Sequence, residues 1–207
     1  MKQQEFNDPM ENRIVKEAKQ CFIERGYVGT TMSLIADRVG INRPVLHYYF
    51  RTKDRLFNAV FEPIMSSLML RIPEILSDER LNVREKIDGV VGLYYSLFSE
   101  NPDLPLFVMR EMQRDPQFLL GALMDIGFAD YVETAKHCME NAVAKGEIRD
   151  VPLRFLFMNI YSLIVMPFVM KGVAATLLTE EGETYDQLLA KWRPYIVEQT
   201  WNMVKPS

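Results

Sequence analysis

The sequence predicts an all-α fold with a three-helix N-terminal domain and a larger C-terminal helical domain. Apolar residues recur at the three- and four-residue spacing of helices throughout the chain, and no segment has a convincing strand or hairpin pattern. Capping residues and glycines mark where several of these helices start and end. The 207 residues, of which 48% are hydrophobic and 25% charged, have the length and composition of a globular protein.

The first predicted helix covers about residues 9 to 25. Asp8 can cap its start, Pro9 suits the first helical position, and Glu11 completes a capping box. Gly26 supplies the stop, because glycine readily adopts the left-handed conformation that often ends a helix. These signals define one amphipathic helix at the start of the N-terminal domain.

Two short helices follow, separated by a three-residue turn. Thr31 is a good cap for the second helix, and Gly40 ends it. Asn42 caps the third helix, which tolerates Pro44 in its first turn and runs to Phe50. Two short helices joined by a glycine-led turn are typical of a helix-turn-helix.

The third helix has an inward and an outward face. Leu46 and Phe50 are four residues apart and point toward the core, which turns Arg43, His47 and Tyr48 outward. An arginine at a helix start can reach a guanine edge or a phosphate, and His and Tyr can contact phosphates or base edges. The outward groups serve no core, but they suit a nucleic-acid groove.

Charge is distributed unevenly along the chain. The formal net charge is −4, but residues 25 to 55 hold six basic and two acidic residues, so this segment is +4 and the remainder −8. Local positive charge attracts phosphates, whatever the average of the whole chain. The predicted DNA-contacting residues are Thr31, Asn42, Arg43, Pro44, Val45, His47, Tyr48, Tyr49 and Lys53.

Residues 18 to 61, "AKQCFIERGYVGTTMSLIADRVGINRPVLHYYFRTKDRLFNAVF", closely resemble the DNA-binding domain of TetR-family transcription regulators. The matching features include the Thr30-Thr31 pair, "VGI" through the turn and "VLHYYF" as recognition helix. The resemblance implies a bacterial homodimer that binds double-stranded DNA. It also implies a DNA-binding domain at residues 1–52, and a linker helix with a ligand-binding and dimerisation domain at residues 53–207.

The larger domain is rich in methionine and aromatic residues, which suit an adaptable apolar pocket for a small-molecule effector. The same residues at helical spacing also suit plain core. Glu111 can pair with a neighbour, face solvent or meet a cationic ligand. The candidate ligand-binding residues are Tyr94, Tyr95, Phe98, Phe107, Met109, Glu111, Met112, Phe128, Tyr131, Met158 and Tyr161.

The apolar stretch at residues 155 to 170 is the segment whose composition comes nearest to that of a membrane-spanning helix. It is shorter than the roughly 20 residues that a spanning helix needs, and it contains Asn159 and Pro167. We therefore predict no membrane span, but a helix buried within its own chain and against a partner subunit. This helix and a last helix from about Thr184 are candidates for a dimerising four-helix bundle. The candidate dimerisation residues are Phe155, Leu156, Ile160, Leu163, Ile164, Leu188, Trp192, Tyr195, Ile196 and Gln199.

Catalytic and metal-binding patterns are scarce. The chain has two histidines and no nucleophile elbow, glycine-rich phosphate loop or zinc-protease motif, so an enzyme is not predicted, although a hidden acid/base pair stays open. Glu133 and His137 share a helix face, but two ligands do not make a metal site. We predict neither a metal nor a cofactor.

The two cysteines, Cys21 and Cys138, form no disulfide framework, and the N-terminus has no apolar signal core. Both observations favour a cytoplasmic protein. The predicted function is a ligand-responsive, sequence-specific transcriptional regulator, more readily a repressor than an activator. The alternatives are a helix-turn-helix module that docks onto protein, or a regulator without a small-molecule ligand.

Overall fold

The computed structural model of the protein describes residues 9–206, and the all-α prediction is confirmed, because helices are the regular elements throughout this range. The eleven helices of the described residues are α1 (Pro9–Gly29), α2 (Met32–Val39), α3 (Arg43–Tyr49), α4 (Lys53–Ser77), α5 (Val83–Glu100), α6 (Leu104–Arg114), α7 (Pro116–Asp125), α8 (Phe128–Ala144), α9 (Leu153–Val169), α10 (Lys171–Leu177) and α11 (Tyr185–Val204).

The end of α1 differs from its prediction. The helix breaks at Gly26, where φ is 67° and ψ is 176°, but one further turn continues to Gly29. Glycine tolerates this positive φ, which other residues rarely adopt. The predicted stop is therefore a kink. Asp8, the predicted cap, lies outside the described residues.

The helix-turn-helix forms at the predicted positions. The Thr31 side chain accepts a hydrogen bond from the Leu34 N–H at 3.1 Å, and the Asn42 side chain accepts one from the Val45 N–H at 3.0 Å. Gly40 ends α2 in the left-handed conformation, with φ of 74°. Local capping chemistry therefore fixes both helix starts and the turn between them.

The chain folds as two compact units. Among the described residues, the first contains residues 9–66 and 107–126, and the second contains residues 67–106 and 127–206. The predicted boundary between residues 52 and 53 falls inside the first unit, because the start of α4 packs with α1. The Phe57 ring lies 5.3 Å from the Phe22 ring and 5.7 Å from the Phe107 ring.

In the second unit, α5, α9 and α11 pack together. Val91, Ile164 and Ile196 are buried, and Trp192 donates from Nε1 to the Leu163 carbonyl at 3.1 Å. Across residues 9–206, no single helix is long and apolar enough to cross a bilayer, and α9 and α10 reach that length and apolarity only as a pair, across a 78° bend.

Candidate nucleic-acid interface and interior cavity

The outward face of α3 is open to solvent. Arg43, Pro44 and Val45 are exposed at its start, and Tyr48 is 82% exposed one turn later. Leu46 is fully buried on the opposite side and fixes the rotation of this short helix. Polar and aromatic groups therefore project from α3 where they contribute nothing to the core.

His47 is held by two hydrogen bonds. Its Nδ1 lies 3.1 Å from the Arg51 carbonyl oxygen, and its Nε2 lies 3.3 Å from the Arg43 Nε. A carbonyl can only accept, so Nδ1 carries the ring proton and Nε2 accepts from Arg43. His47 thus orients the Arg43 guanidinium along the exposed face.

The remaining predicted contact residues around α3 have structural roles as well. Thr31 and Asn42 are exposed, and each side-chain oxygen caps its helix as described above. Tyr49 is half-buried, with its ring edge-to-face against Tyr48 at 5.3 Å. The exposed ends of α2 and α3 also carry N–H groups that a phosphate can accept from.

Lys53 lies differently from the phosphate contact that the sequence predicts. Its Nζ donates to the carbonyls of Tyr27 and Thr30, both at 3.0 Å, and lies 4.0 Å from the centroid of the Tyr27 ring. Burial lowers the pKa of Lys53. Because two carbonyls and a ring face occupy its ammonium, Lys53 ties the start of α4 to the end of α1.

Glu111 pairs with a neighbour, which is one of the three alternatives that its sequence context leaves open. Its side chain is 2% exposed, accepts from the Tyr27 N–H at 2.9 Å, and accepts from Arg114 Nε at 2.6 Å. The Arg114 guanidinium also lies 4.2 Å from the centroid of the Tyr27 ring. The carboxylate therefore receives the polar partners that a buried charge requires.

We refer to Tyr27, Lys53, Asp54, Glu111 and Arg114 as the Tyr27 cluster. Burial, reinforced by a hydrogen bond from its hydroxyl to Asp54, raises the pKa of Tyr27 to about 12. Sequence reasoning missed this cluster, and its one local signal is the three-residue spacing of Glu111 and Arg114 on α6. The cluster joins α6 to the end of α1 and the start of α4 within the first unit.

The second unit contains a cavity of about 80 Å³ lined by residues of α4, α5, α8, α9 and α11. Tyr94, Tyr131 and Tyr161, three of the predicted ligand residues, line it. The Tyr94 and Tyr131 hydroxyls are hydrogen-bonded to each other, and burial raises the pKa of both. The void is several times larger than the roughly 10–15 Å³ that one water needs.

The other predicted ligand residues lie elsewhere. Tyr95 and Phe98 pack against Phe168 in the core, with ring centroids 5.6 and 5.3 Å away. Adjacent residues on a helix point in different directions, so Tyr95 cannot share the face of its neighbour. The residues that do not line the cavity are Tyr95, Phe98, Phe107, Met109, Glu111, Met112, Phe128 and Met158.

Four of these belong to the first unit: Phe107, Met109, Glu111 and Met112. They lie on α6, whose C-terminal part packs into that unit, and Phe107 contacts the Phe57 ring there. Phe128 packs on the Tyr131 ring at 5.6 Å, while Met158 is 63% exposed. Residue type alone therefore predicts more cavity-lining residues than the structure has.

Lys86 and Cys138 also line the cavity. Lys86 donates from Nζ to the Leu76 carbonyl at 2.7 Å, and its Nζ lies 3.9 Å from the Cys138 Sγ. Neither residue was predicted to bind a ligand. Lys86 is the single ionised side chain among the lining residues, all of which the structure describes.

An exposed apolar face runs along α9. Phe155, Met158 and Met166 follow one another at spacings of three and eight residues and point to solvent, as does Tyr195 of α11, which is 61% exposed. Three predicted dimerisation residues are instead buried in the core of their own unit, namely Leu156, Ile164 and Ile196. Four are half-buried (Ile160, Leu163, Leu188 and Trp192), and Phe155, Tyr195 and Gln199 are exposed.

The candidate metal ligands Glu133 and His137 are both exposed. In the part of the chain that the structure describes, no three His, Cys, Asp or Glu side chains gather as a metal site would require.

A solvent-facing recognition helix in a glycine-led helix-turn-helix defines a DNA-binding transcription regulator rather than an enzyme. The sequence profile of bacterial regulatory proteins of the tetR family matches residues 14–60. Residues 14–60 are therefore a DNA-binding domain of the TetR-family type.

Known proteins resemble both the sequence and the fold. The fatty acid metabolism regulator protein of Bacillus subtilis is 23% identical over 142 residues, which are 69% of this chain and 72% of that protein. The ketosteroid transcriptional regulator KstR2 of Mycobacterium tuberculosis has the same fold, with a TM-score of 0.70, 17% identity and 98% of each chain covered. The fatty acid degradation regulator FadR from Bacillus halodurans gives a TM-score of 0.68 at 16% identity, covering 92% of this chain and 96% of that one.

Proposed function

We propose that the protein is a homodimeric, ligand-responsive repressor that a small, largely apolar effector releases from a near-palindromic operator. The exposed face of α3, with Arg43 at its start and Tyr48 one turn later, is the observation that carries this proposal. A recognition helix reads the major groove with side chains near its N-terminus. Arg43 suits a guanine edge, and Tyr48 suits a phosphate or a thymine methyl.

The exposed apolar face of α9 supports the homodimer. A soluble surface rarely keeps large apolar side chains such as Phe155, Met158 and Met166 in one row unless another surface covers them. A second copy of the same face would pack against it under two-fold symmetry. Two recognition helices would then meet half-sites about one DNA turn apart, roughly 34–36 Å.

The cavity of the second unit supports an effector. Its lining is apolar apart from Lys86, Cys138 and three tyrosine hydroxyls, as a site for a largely apolar molecule would be. Two of the similar proteins are regulators of fatty acid metabolism or degradation, which favours an aliphatic effector class. The effector lowers operator affinity to the extent that it prefers the DNA-free state over the DNA-bound one.

The test is selection of bound sequences from a random DNA pool with purified protein at two salt concentrations. We expect enrichment of a near-palindrome and an affinity that falls steeply as salt rises, because phosphate contacts release counterions. The selected operator then serves to screen effectors by loss of binding. Absence of any enriched sequence would contradict the proposal and favour a helix-turn-helix module that docks onto protein.

A further inference from the structure

We infer that the cavity of the second unit takes a linear aliphatic carboxylate, with its chain among the apolar side chains and its carboxylate on the Lys86 ammonium. The inference rests on the proposed function in assigning the cavity to an effector. It goes beyond that function by naming the chemical class of the ligand and the residue that selects it.

The apolar lining of the cavity determines which part of the ligand lies inside it, namely the alkyl chain. Aliphatic side chains from five helices line it, among them Ile72, Val90, Ala135, Ile160 and Val204. The Tyr94 hydroxyl donates to the Tyr131 hydroxyl, so this pair uses part of its hydrogen-bonding capacity internally. An alkyl chain can fill such a space without leaving a polar group of the protein unpaired.

Lys86 defines the other end. Its hydrogen bond to the Leu76 carbonyl and its weak one to the Cys138 Sγ use two of the three N–H donors of an ammonium group, which leaves one for a ligand, and the lining contains no carboxylate. Asp78 is paired with the Arg80 guanidinium at 2.7 Å; the pKa of Asp78 is lowered chiefly by its hydrogen bonds with Arg80 and least by the nearby charge of Lys86. No salt bridge joins Lys86 to an acidic residue anywhere in residues 9–206.

A cation at the wall of an apolar cavity discriminates between head groups of the same chain length. A carboxylate gains a charge-assisted hydrogen bond there, an alcohol gains a neutral one, and an alkylammonium is repelled. Capping α4 through the Leu76 carbonyl is a structural role of Lys86 that predicts no such preference. Head-group selectivity therefore separates a ligand-binding lysine from a merely structural one.

The experiment is isothermal titration calorimetry of the full-length protein with decanoate, 1-decanol and decylamine, each below its micelle concentration. We expect decanoate to bind at least about tenfold more tightly than decanol, and decylamine to bind most weakly. Equal affinity for decanoate and decanol, or no decanoate binding, would overturn the inference. This comparison uses the unaltered protein, so it does not depend on the folding of a variant.

Two substitutions then assign the preference to Lys86. Lys86→Met keeps the length of the side chain but removes the charge, so the decanoate-to-decanol ratio should fall to about one, while Lys86→Arg should keep it above one. A Lys86→Met protein that still prefers decanoate would place the anion site elsewhere. Thermal unfolding of each variant measures the separate contribution of the α4 cap.

A parallel binding assay on the selected operator keeps this inference apart from the proposed function. If decanoate binds with the expected preference but leaves operator affinity unchanged, the ligand class stands and the effector mechanism fails. If another compound releases the operator while alkanoates do not bind, the effector mechanism stands and the carboxylate inference fails.

Discussion

The two units differ in what distinguishes each interior: a buried carboxylate in the first, and in the second an apolar cavity, with Thr200 as the one buried polar side chain besides tyrosines among the described residues. The first unit encloses Glu111 and Thr30 and supplies each with hydrogen-bond partners, whereas the second encloses an apolar void with one lysine at its wall. Hydrogen bonds are directional, so the first interior specifies one arrangement of its helices. Apolar contacts are not directional, and an unfilled cavity lets side chains adjust around a ligand.

This difference matches the task that we propose for each unit. Base readout requires side chains of α3 to be held within narrow limits; the helix caps fix the start of α3, and the Tyr27 cluster fixes α1, α4 and α6 of the same unit. The proposed effector binding requires space and adaptability, which the cavity of the second unit would provide.

Glu111→Ala should lower the free energy of unfolding by about 3 kcal/mol, because Arg114 loses its buried partner and the Tyr27 N–H loses its acceptor. Urea unfolding measures the change. Glu111→Gln should cost less, since an amide oxygen can still accept from Tyr27. Glu140→Ala, at an exposed position of α8, is the control. A Glu111→Ala protein as stable as the control would show that the hydrogen bonds of Glu111 do not stabilise the first unit.

Met158→Glu should weaken self-association by about 1.5–3 kcal/mol, the scale of burying one large apolar side chain. Sedimentation equilibrium measures the shift toward monomer. Met124→Glu introduces the same charge at a similarly exposed methionine of α7 in the first unit, and it should leave self-association unchanged. Equal effects of the two substitutions would mean that α9 is not the dimer face.

Arg43→Ala should lose about 1–3 kcal/mol of affinity for the selected operator and relax the sequence preference at one position. Lys53→Ala should instead weaken binding to all sequences alike, because it removes the hydrogen bonds that tie the start of α4 to the end of α1, next to the start of α2. Competition binding with specific and random duplexes separates the two patterns. An unchanged preference in Arg43→Ala would show that a different face reads DNA.

Alkaline pH should destabilise the first unit through Tyr27. The folded state holds the Tyr27 proton up to a pKa of about 12, while the unfolded chain releases it near 10. The stabilisation is therefore complete below pH 10 and is lost as pH rises to 12. The free energy of unfolding of Tyr27→Phe should fall less steeply between pH 10 and pH 12 than that of the parent protein. Tyr48→Phe is the exposed control, and a parent-like slope in Tyr27→Phe would contradict the assignment.

Ala135→Leu should raise the free energy of unfolding slightly, by about 0.5–1 kcal/mol, because it fills the cavity. The same change should reduce decanoate binding, which calorimetry measures. Ala129→Leu on the exposed face of α8 is the matched control. A destabilised Ala135→Leu protein would indicate that the side chains around the cavity are too rigid to adjust to added atoms.

Sequence predicted the helix-turn-helix well because its signals are local. The caps Thr31 and Asn42 lie three residues from the N–H groups that they accept from, and Gly40 acts at its own backbone. The outward position of Arg43 and Tyr48 follows from helical periodicity once Leu46 is assigned to the core. Spacing within a few residues was sufficient for each of these predictions.

Contacts that join distant segments could not be predicted in the same way. Tyr27 and Glu111 are 84 positions apart, and nothing near either residue indicates that they meet. Lys86 follows Arg84 and Glu85, so it has the pattern of an ordinary solvated helix face. Among the aromatic residues of α5, only the tertiary packing separates Tyr94, which lines the cavity, from Tyr95, which does not.

The open row of Phe155, Met158 and Met166 also has a consequence for how much of this protein a cell must make. Under the proposed homodimer, a newly synthesised monomer exposes this apolar surface until it dimerises. Dimerisation slows as the concentration of monomers falls. Synthesis below that threshold would leave single chains exposed to proteolysis or clumping. Operator occupancy would then rise more steeply than in proportion to the protein concentration, since the dimer and not the monomer binds the operator.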